Sequence, residues 1–147
     1  MTPAPKAKAL VDELGLAEQV EFLGHIGRAE VGELFAWADI NVLVSRAEGF
    51  GKVFLEGMAH GCPAVCGSGA MQRSLVGSGA RGRQADPDDP VNIADAFAAL
   101  RDLPIDQQAA MVSSCKEYVA AFTTEAFARE IRTIVAELWQ LPLPEGR

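Results

Sequence analysis

Apolar and polar positions along the chain alternate between two periods. KAKALVDELGL, starting at Lys6, repeats apolar residues at helical spacing and stops at Gly15, and VEFLG (20–24) is a short β-rich run closed by glycine. RAEVGELFAWA (28–38) then predicts a helix and INVLVS (40–45) a strand. KVFLEGMAH (52–60) predicts a helix ended by Gly61, and PAVCG (63–67) the next strand. MQRSLV (71–76) reads as a short helix and GRQA (82–85) as a weak strand. DPDDPVNIADAFAAL opens with acids at a helix N-terminus, and two more helices are expected near 106–121 and 124–140. Strands alternating with helices imply an α/β fold, a Rossmann-like parallel sheet with flanking helices. The expected organisation is one domain over 1–141 and a tail over 142–147, because LPLPEGR cannot continue a helix.

The length of 147 residues suits one domain with a real core, and no internal repeat suggests two. A formal charge of −7 provides no basic stripe to follow a phosphate backbone, so no nucleic-acid partner is expected. Cys62, Cys66 and Cys115 form neither an even disulfide set nor a CxxC pair, and read as buried free thiols. Further ligands at metal-binding spacing are missing around them, so no metal is expected. Nothing at the N-terminus reads as a secretory signal, and no apolar stretch has membrane-spanning length. The expected location is cytoplasmic, with peripheral attachment at the inner membrane surface left open.

In doubly covered parallel sheets, ligands bind outside the carboxyl ends of the strands, which directs attention to the loops after residues 24, 44 and 66. The second of these contains EGFGKVFLE, Glu48 to Glu56. If a helix starts near Lys52, then Gly49, Phe50 and Gly51 form the turn into it, and the first backbone N–H groups make a cradle for an anion. Glycine there lets the backbone approach a phosphate closely. Helical side chains lean toward the N-terminus, so the Glu56 carboxylate reaches back toward that anion and suits the paired hydroxyls of a ribose. Glu48 faces whatever lies beyond the phosphates. A plainer reading stands beside this one. Acids near a helix N-terminus are favoured by the dipole, Lys52 and Glu56 form an i,i+4 pair, and Lys52, Glu56 and His60 make a solvated stripe.

SRAEGFGKVFLEGMAHGCPAV resembles the donor-binding motif of the family 4 glycosyltransferases (glycosyl transferases group 1), enzymes of the two-domain GT-B architecture: E-x7-E, a helix and a G-x-P turn. LGLAEQVEFLGHI, ADINVLVS and DPDDPVNIADAFAAL also resemble family segments, so the likeness covers nearly the whole chain. It implies the donor-binding half of an enzyme that transfers a hexosyl group from a nucleotide-sugar to an acceptor, with retention of anomeric configuration. By position, Glu56 is implied to bind the ribose, and the turn of Gly49, Phe50 and Gly51, with Lys52, to hold phosphate or sugar. Glu48 is implied to contact the donor sugar near its reacting end as the catalytic residue, and His25 and Ile26 to lie by the nucleobase. The acceptor, whether glycan, lipid or small molecule, is not specified. No cofactor is implied, since the nucleotide-sugar is a substrate.

The chain also departs from the pattern. The family domain starts with two further strands whose loops supply an arginine and a lysine to the diphosphate, so a partial GT-B C-terminal domain is expected, with Met1 falling mid-domain. Arg73 is a candidate substitute cation, and a surface arginine is the plainer reading. The family's Gly-Gly and Pro-Glu are replaced by Ala70-Met71 and Arg73-Ser74. In the family's strand order the missing strands separate VEFLG from INVLVS. VEFLG is therefore expected to close against INVLVS, or a second polypeptide to supply the strands, or identical chains to pair by their edges. On the last helix, Phe127, Ile131, Val135 and Leu138 share a face beside Trp139, which reads first as core. The rival functional reading is a non-catalytic interaction module that pairs through an open sheet edge and binds no donor.

Overall fold

The structure, a computed structural model, describes residues 5–47, 49 and 51–140. The chain divides into two compact units, Met1–Leu34 and Phe35–Arg147. The sequence-expected tail over 142–147 lies outside the described residues, as do Glu48 and Phe50.

In the first unit, α1 (Pro5–Glu13) ends as expected at Gly15, whose φ of 67° is left-handed. The Leu14, Gly15 and Leu16 amides bond back to Leu10, Asp12 and Val11 carbonyls. The expected strand VEFLG is not formed: residues 20–24 have no ladder and no regular structure. A strand holds its shape through hydrogen bonds to a neighbour, and residue preference alone does not supply one. Val20 and Leu23 are accordingly exposed, while Phe22 lies half-buried with the Lys8 ammonium 5.9 Å from its ring centroid. The unit boundary falls within α2 (Arg28–Trp37), whose start is capped by Glu30 accepting from the Gly27 amide at 2.7 Å.

The second unit is built on β1 (Asn41–Leu43), β2 (Ala64–Cys66) and β3 (Gly82–Gln84), a parallel sheet in the order β1-β2-β3. The register pairs Asn41 with Ala64 and Ala64 with Gly82, continuing in step along the strands. The expected strand VEFLG is not a strand of this sheet, in which β1 is an edge among the described residues. The strands are shorter than the sequence runs, because only the paired three-residue centres form ladders.

α3 (Lys52–His60) connects β1 to β2, and α4 (Ala70–Val76) with a 3-10 turn at Gly77–Gly79 connects β2 to β3. α5 (Pro90–Arg101), α6 (Ile105–Val119) and α7 (Thr124–Trp139) follow. Asp89 caps α5 by accepting from the Val91 and Asn92 amides, and Thr123 caps α7 by accepting from Ala126. Central β2 is buried throughout, and its alternation divides the core. Ala64 and Cys66 pack with Phe54, Met58, Leu75, Val76 and Cys115. Val65 points the other way, into Ala85, Ala96, Leu100 and Met111. All three cysteines are buried and free, as the sequence suggested. The core reading of the α7 face does not hold: Phe127, Ile131, Leu138 and Trp139 are exposed, Val135 is half-buried, and Ala136 is the buried residue of that helix. No helix among the described residues is long and apolar enough to cross a membrane.

Candidate functional site

The site forms where the chain leaves β1 and enters α3. α3 is a short helix with a sharp division of faces. Phe54, Gly57 and Met58 are buried, while Lys52, Glu56 and His60 are exposed. Two contacts fix its placement against β1. The Asn41 side-chain amide donates to the Val53 carbonyl at 2.9 Å, and a Cβ on Gly57 would come within 2.8 Å of Asn41 Nδ2. Only glycine lets the strand approach the helix this closely. At the far end, left-handed Gly61 closes the helix, with its own amide and that of Cys62 bonding to the Met58 and Gly57 carbonyls at 3.0 Å.

At the near end Gly51 is buried and left-handed, with φ 66° and ψ 44°, and no side chain caps the helix. A Cβ there would stand 2.7 Å from the Phe54 ring and 3.4 Å from Leu75. The residue therefore has to be glycine for both backbone and space. In the first turn the Phe54 amide bonds back to the Gly51 carbonyl at 2.9 Å, and the Lys52 and Val53 amides have no acceptor among the described residues. Glu56 lies about one turn in, exposed, and its carboxylate makes no ion pair or hydrogen bond among the described residues. The i,i+4 pair with Lys52 is thus not formed, and Lys52 too is exposed without such a partner among them. Gly49 is exposed in the turn.

The structure brings Gly49, Gly51, Lys52 and Glu56 together around the head of one helix. His25, exposed, and Ile26, half-buried, belong to the first unit, in the loop ahead of α2. Arg73 lies on the exposed face of α4, in the wall of a cavity to which Gly49 and Gly51 of the turn do not contribute.

Neighbouring loops at the carboxyl ends of the strands are held to one another by residues that sequence reasoning passed over. Gly67, just after β2, packs so tightly on the loop after β1 that any Cβ would collide with the Ser45 carbonyl oxygen. Gln84 ends β3 and donates to the Gly67 carbonyl at 3.1 Å and to Gly69 at 3.3 Å. Arg46 crosses to the loop after β3, where its Nε donates to Asp88 Oδ2 at 3.3 Å and its Nη2 to Oδ1. Hydrogen bonding from Arg46 holds the Asp88 carboxyl below the usual carboxylate range, and Arg46 is raised in return. The signal available beforehand was the single cation in SRAEG set against the acids of DPDD. Forty-two positions separate the two, so spacing could not pair them.

The arrangement offers backbone donors for an anion at the head of α3, with a solvent-facing carboxylate one turn away. Known proteins are similar to this chain in sequence and fold. The profile of the family described as "Glycosyl transferases group 1" matches residues 4–119. D-inositol 3-phosphate glycosyltransferase of Corynebacterium urealyticum is 30% identical over 133 residues, which is 90% of this chain and 31% of that protein. The enzyme of the same name from Mycobacterium avium is 32% identical over 132 residues, covering 87% and 31%. Among solved structures, sucrose-phosphate synthase from Thermosynechococcus elongatus superposes with a TM-score of 0.80 at 25% identity, covering 93% of this chain and 34% of that one. Anabaena HepE, solved in complex with UDP and glucose, has the same fold at a TM-score of 0.78 and 23% identity, with 90% and 36% covered. The chain thus spans about a third of the length of the curated relatives it matches. With its three parallel strands between helices, this α/β, Rossmann-like chain belongs to the glycosyl transferases group 1 family.

Proposed function

We propose that this chain is the donor-binding half of a cytoplasmic glycosyltransferase that moves a hexosyl group from a nucleotide-sugar to an acceptor with retention of anomeric configuration. The observation that carries this reading is the head of α3, where Gly51 is buried and left-handed, the Lys52 and Val53 amides have no acceptor among the described residues, and Glu56 lies exposed about one turn in. The diphosphate lies on those amides, where the helix dipole favours negative charge. Glu56 accepts from the two ribose hydroxyls, a pairing that a carboxylate satisfies with both oxygens. Lys52, at the first helical position, offsets charge on the phosphates. By the motif alone, Glu48 takes the place nearest the reacting carbon, Phe50 stands with Gly49 in the turn, and His25 and Ile26 flank the base. No metal or other cofactor is part of the proposal. The acceptor must be held in line with the donor for transfer, and the residues assigned here supply the donor side. The curated relatives are named for D-inositol 3-phosphate, which makes a phosphorylated polyol the first acceptor to try.

The test is saturation-transfer NMR against UDP-, GDP- and ADP-hexoses, with Glu56→Ala and Glu48→Ala as controls. Binding to one donor that disappears in Glu56→Ala supports the reading and names the base. A folded chain that binds none of the three overturns it. The second reading, an interaction module, is favoured by β1, an edge strand on which Val42 and Leu43 are exposed. Light scattering after size exclusion separates the two: a clean monomer rules out stable edge pairing between copies.

A further inference from the structure

A cavity of about 340 Å³ opens to solvent against β3 and the end of α4, with Arg73, Ser78, Gly79, Arg83 and Gln84 in its wall. None of the described donor-turn residues lines it. The local charge runs against that of the chain as a whole. The formal net charge is −7, yet no Asp or Glu occurs between Glu56 and Asp86, and Arg73, Arg81 and Arg83 all fall in that interval.

The three arginines are used differently. Arg81 is structural: its Nε donates to the Leu75 carbonyl at 2.7 Å, its Nη2 to Ser74 at 2.9 Å, and its guanidinium stacks 3.8 Å from the Tyr118 ring centroid. Arg83 is pinned through one nitrogen, Nη1, which donates to the Gly79 and Gly82 carbonyls at 2.8 and 2.9 Å. Its Nε and Nη2 have no acceptor among the described residues, although the residue is half-buried. The Arg73 guanidinium has no acceptor among the described residues either. Ser78, between them in the wall, holds a left-handed φ of 55°, an unusual conformation for a residue other than glycine. Such outliers persist where the surroundings enforce them.

A guanidinium presents its donors in a planar fork that matches an oxyanion, and fixing one nitrogen aims the others at low entropic cost. We propose that this cavity is a second anion site, which binds a phosphate group through Arg73 and Arg83 with the Ser78 hydroxyl as a further donor. Its volume is enough for a phosphate carried on a single sugar ring, at the lower end of small-molecule pockets. The site is independent of the donor reading.

Amide NMR titration of the full chain tests it, with inorganic phosphate in one arm and glucose 6-phosphate in the other, each against sodium chloride of matched ionic strength. Saturable shifts are expected at the amides of 76–84, weakened about tenfold or more by Arg73→Ala, since hydrogen bonds to charged groups carry effects of that size. The Arg73 side chain bonds to nothing among the described residues, so its removal leaves the fold in place. Arg83→Gln, which also loosens the turn at Gly79, serves as the second variant. Glu56→Ala should leave the response unchanged, and this separates it from failure of the donor reading. Tighter binding of glucose 6-phosphate identifies a sugar-borne phosphate, and equal binding identifies the phosphate group alone. No saturable shift in either arm, shifts centred on 49–56, or shifts indifferent to Arg73→Ala would overturn the proposal.

Discussion

Helices α3 and α7 have the same kind of sequence and different fates. Both place apolar residues at helical spacing on one face. The nine residues of α3 bury Phe54, Gly57 and Met58, whereas the sixteen of α7 bury Ala136 and leave Phe127, Leu138 and Trp139 about two-thirds exposed. Periodicity states which face of a helix is apolar. It does not state what covers that face, and the covering decides the energy. α3 is enclosed by the sheet, α4 and α6, which fixes the position of its first turn.

The largest test of the contrast is Phe54→Ala. Phe54 is 1% exposed, among Met58, Cys66 and Leu75, and removing its ring should cost about 3–5 kcal/mol through lost burial and the cavity left behind. Urea unfolding followed by circular dichroism measures this directly. A loss under about 1 kcal/mol would mean that the α3 core collapses around the gap, and that α3 is less firmly seated than its burial indicates.

Gly51→Ala comes next, because it addresses the seat and the turn at once. The substitution forces a side chain into a left-handed conformation and onto the Phe54 ring, at an expected cost of about 1–3 kcal/mol. Urea midpoints should fall accordingly. If they do not, the turn re-forms with another geometry, and the anion cradle inferred from Gly51 loses its basis.

A third test uses the thiols buried beside α3. Burial pushes the Cys66 thiol up to about 11, and burial likewise raises Cys115 to about 11 against the opposing pull of Arg81. In the unfolded chain both titrate near roughly 8.5. A raised folded value means that the unfolded chain releases its protons first as pH rises, so the contribution to stability is complete below about 8.5 and is lost between there and 11. Melting temperatures should fall over that window. Cys66→Ala should flatten the fall, and an unchanged slope in that variant would mean the thiols are solvated and the core around α3 is open.

How much of this was legible follows the same division. The strands 41–43, 64–66 and 82–84 and the helices between them were readable because turn glycines, caps and alternation act within a few residues, and the stop at Gly61 is one example. VEFLG misled, because its β-rich composition specifies a preference and a ladder needs a partner. The faces of the site were legible as the E-x7-E spacing, which placed Glu56 on an exposed face with Lys52. Its scaffolding was not. Gly67 packed on Ser45, Gln84 donating across to Gly67, and Arg46 paired with Asp88 all join positions that only the fold brings together. Such pairings leave no periodic trace in a single sequence.

The smallest expected effect sharpens the comparison most. Phe127 is 65% exposed on α7, and Phe127→Ala should change stability by no more than about 0.5 kcal/mol, the ordinary range for a surface position. Measured beside Phe54→Ala, it compares the same chemical change on two amphipathic helices, so the difference reports covering alone. A loss of 2 kcal/mol or more would mean that the α7 face is packed in solution against something, either a second copy or another segment of polypeptide. Repeating the measurement over a range of protein concentrations tells these apart, because stability gained from a second copy rises with concentration and stability gained within one chain does not.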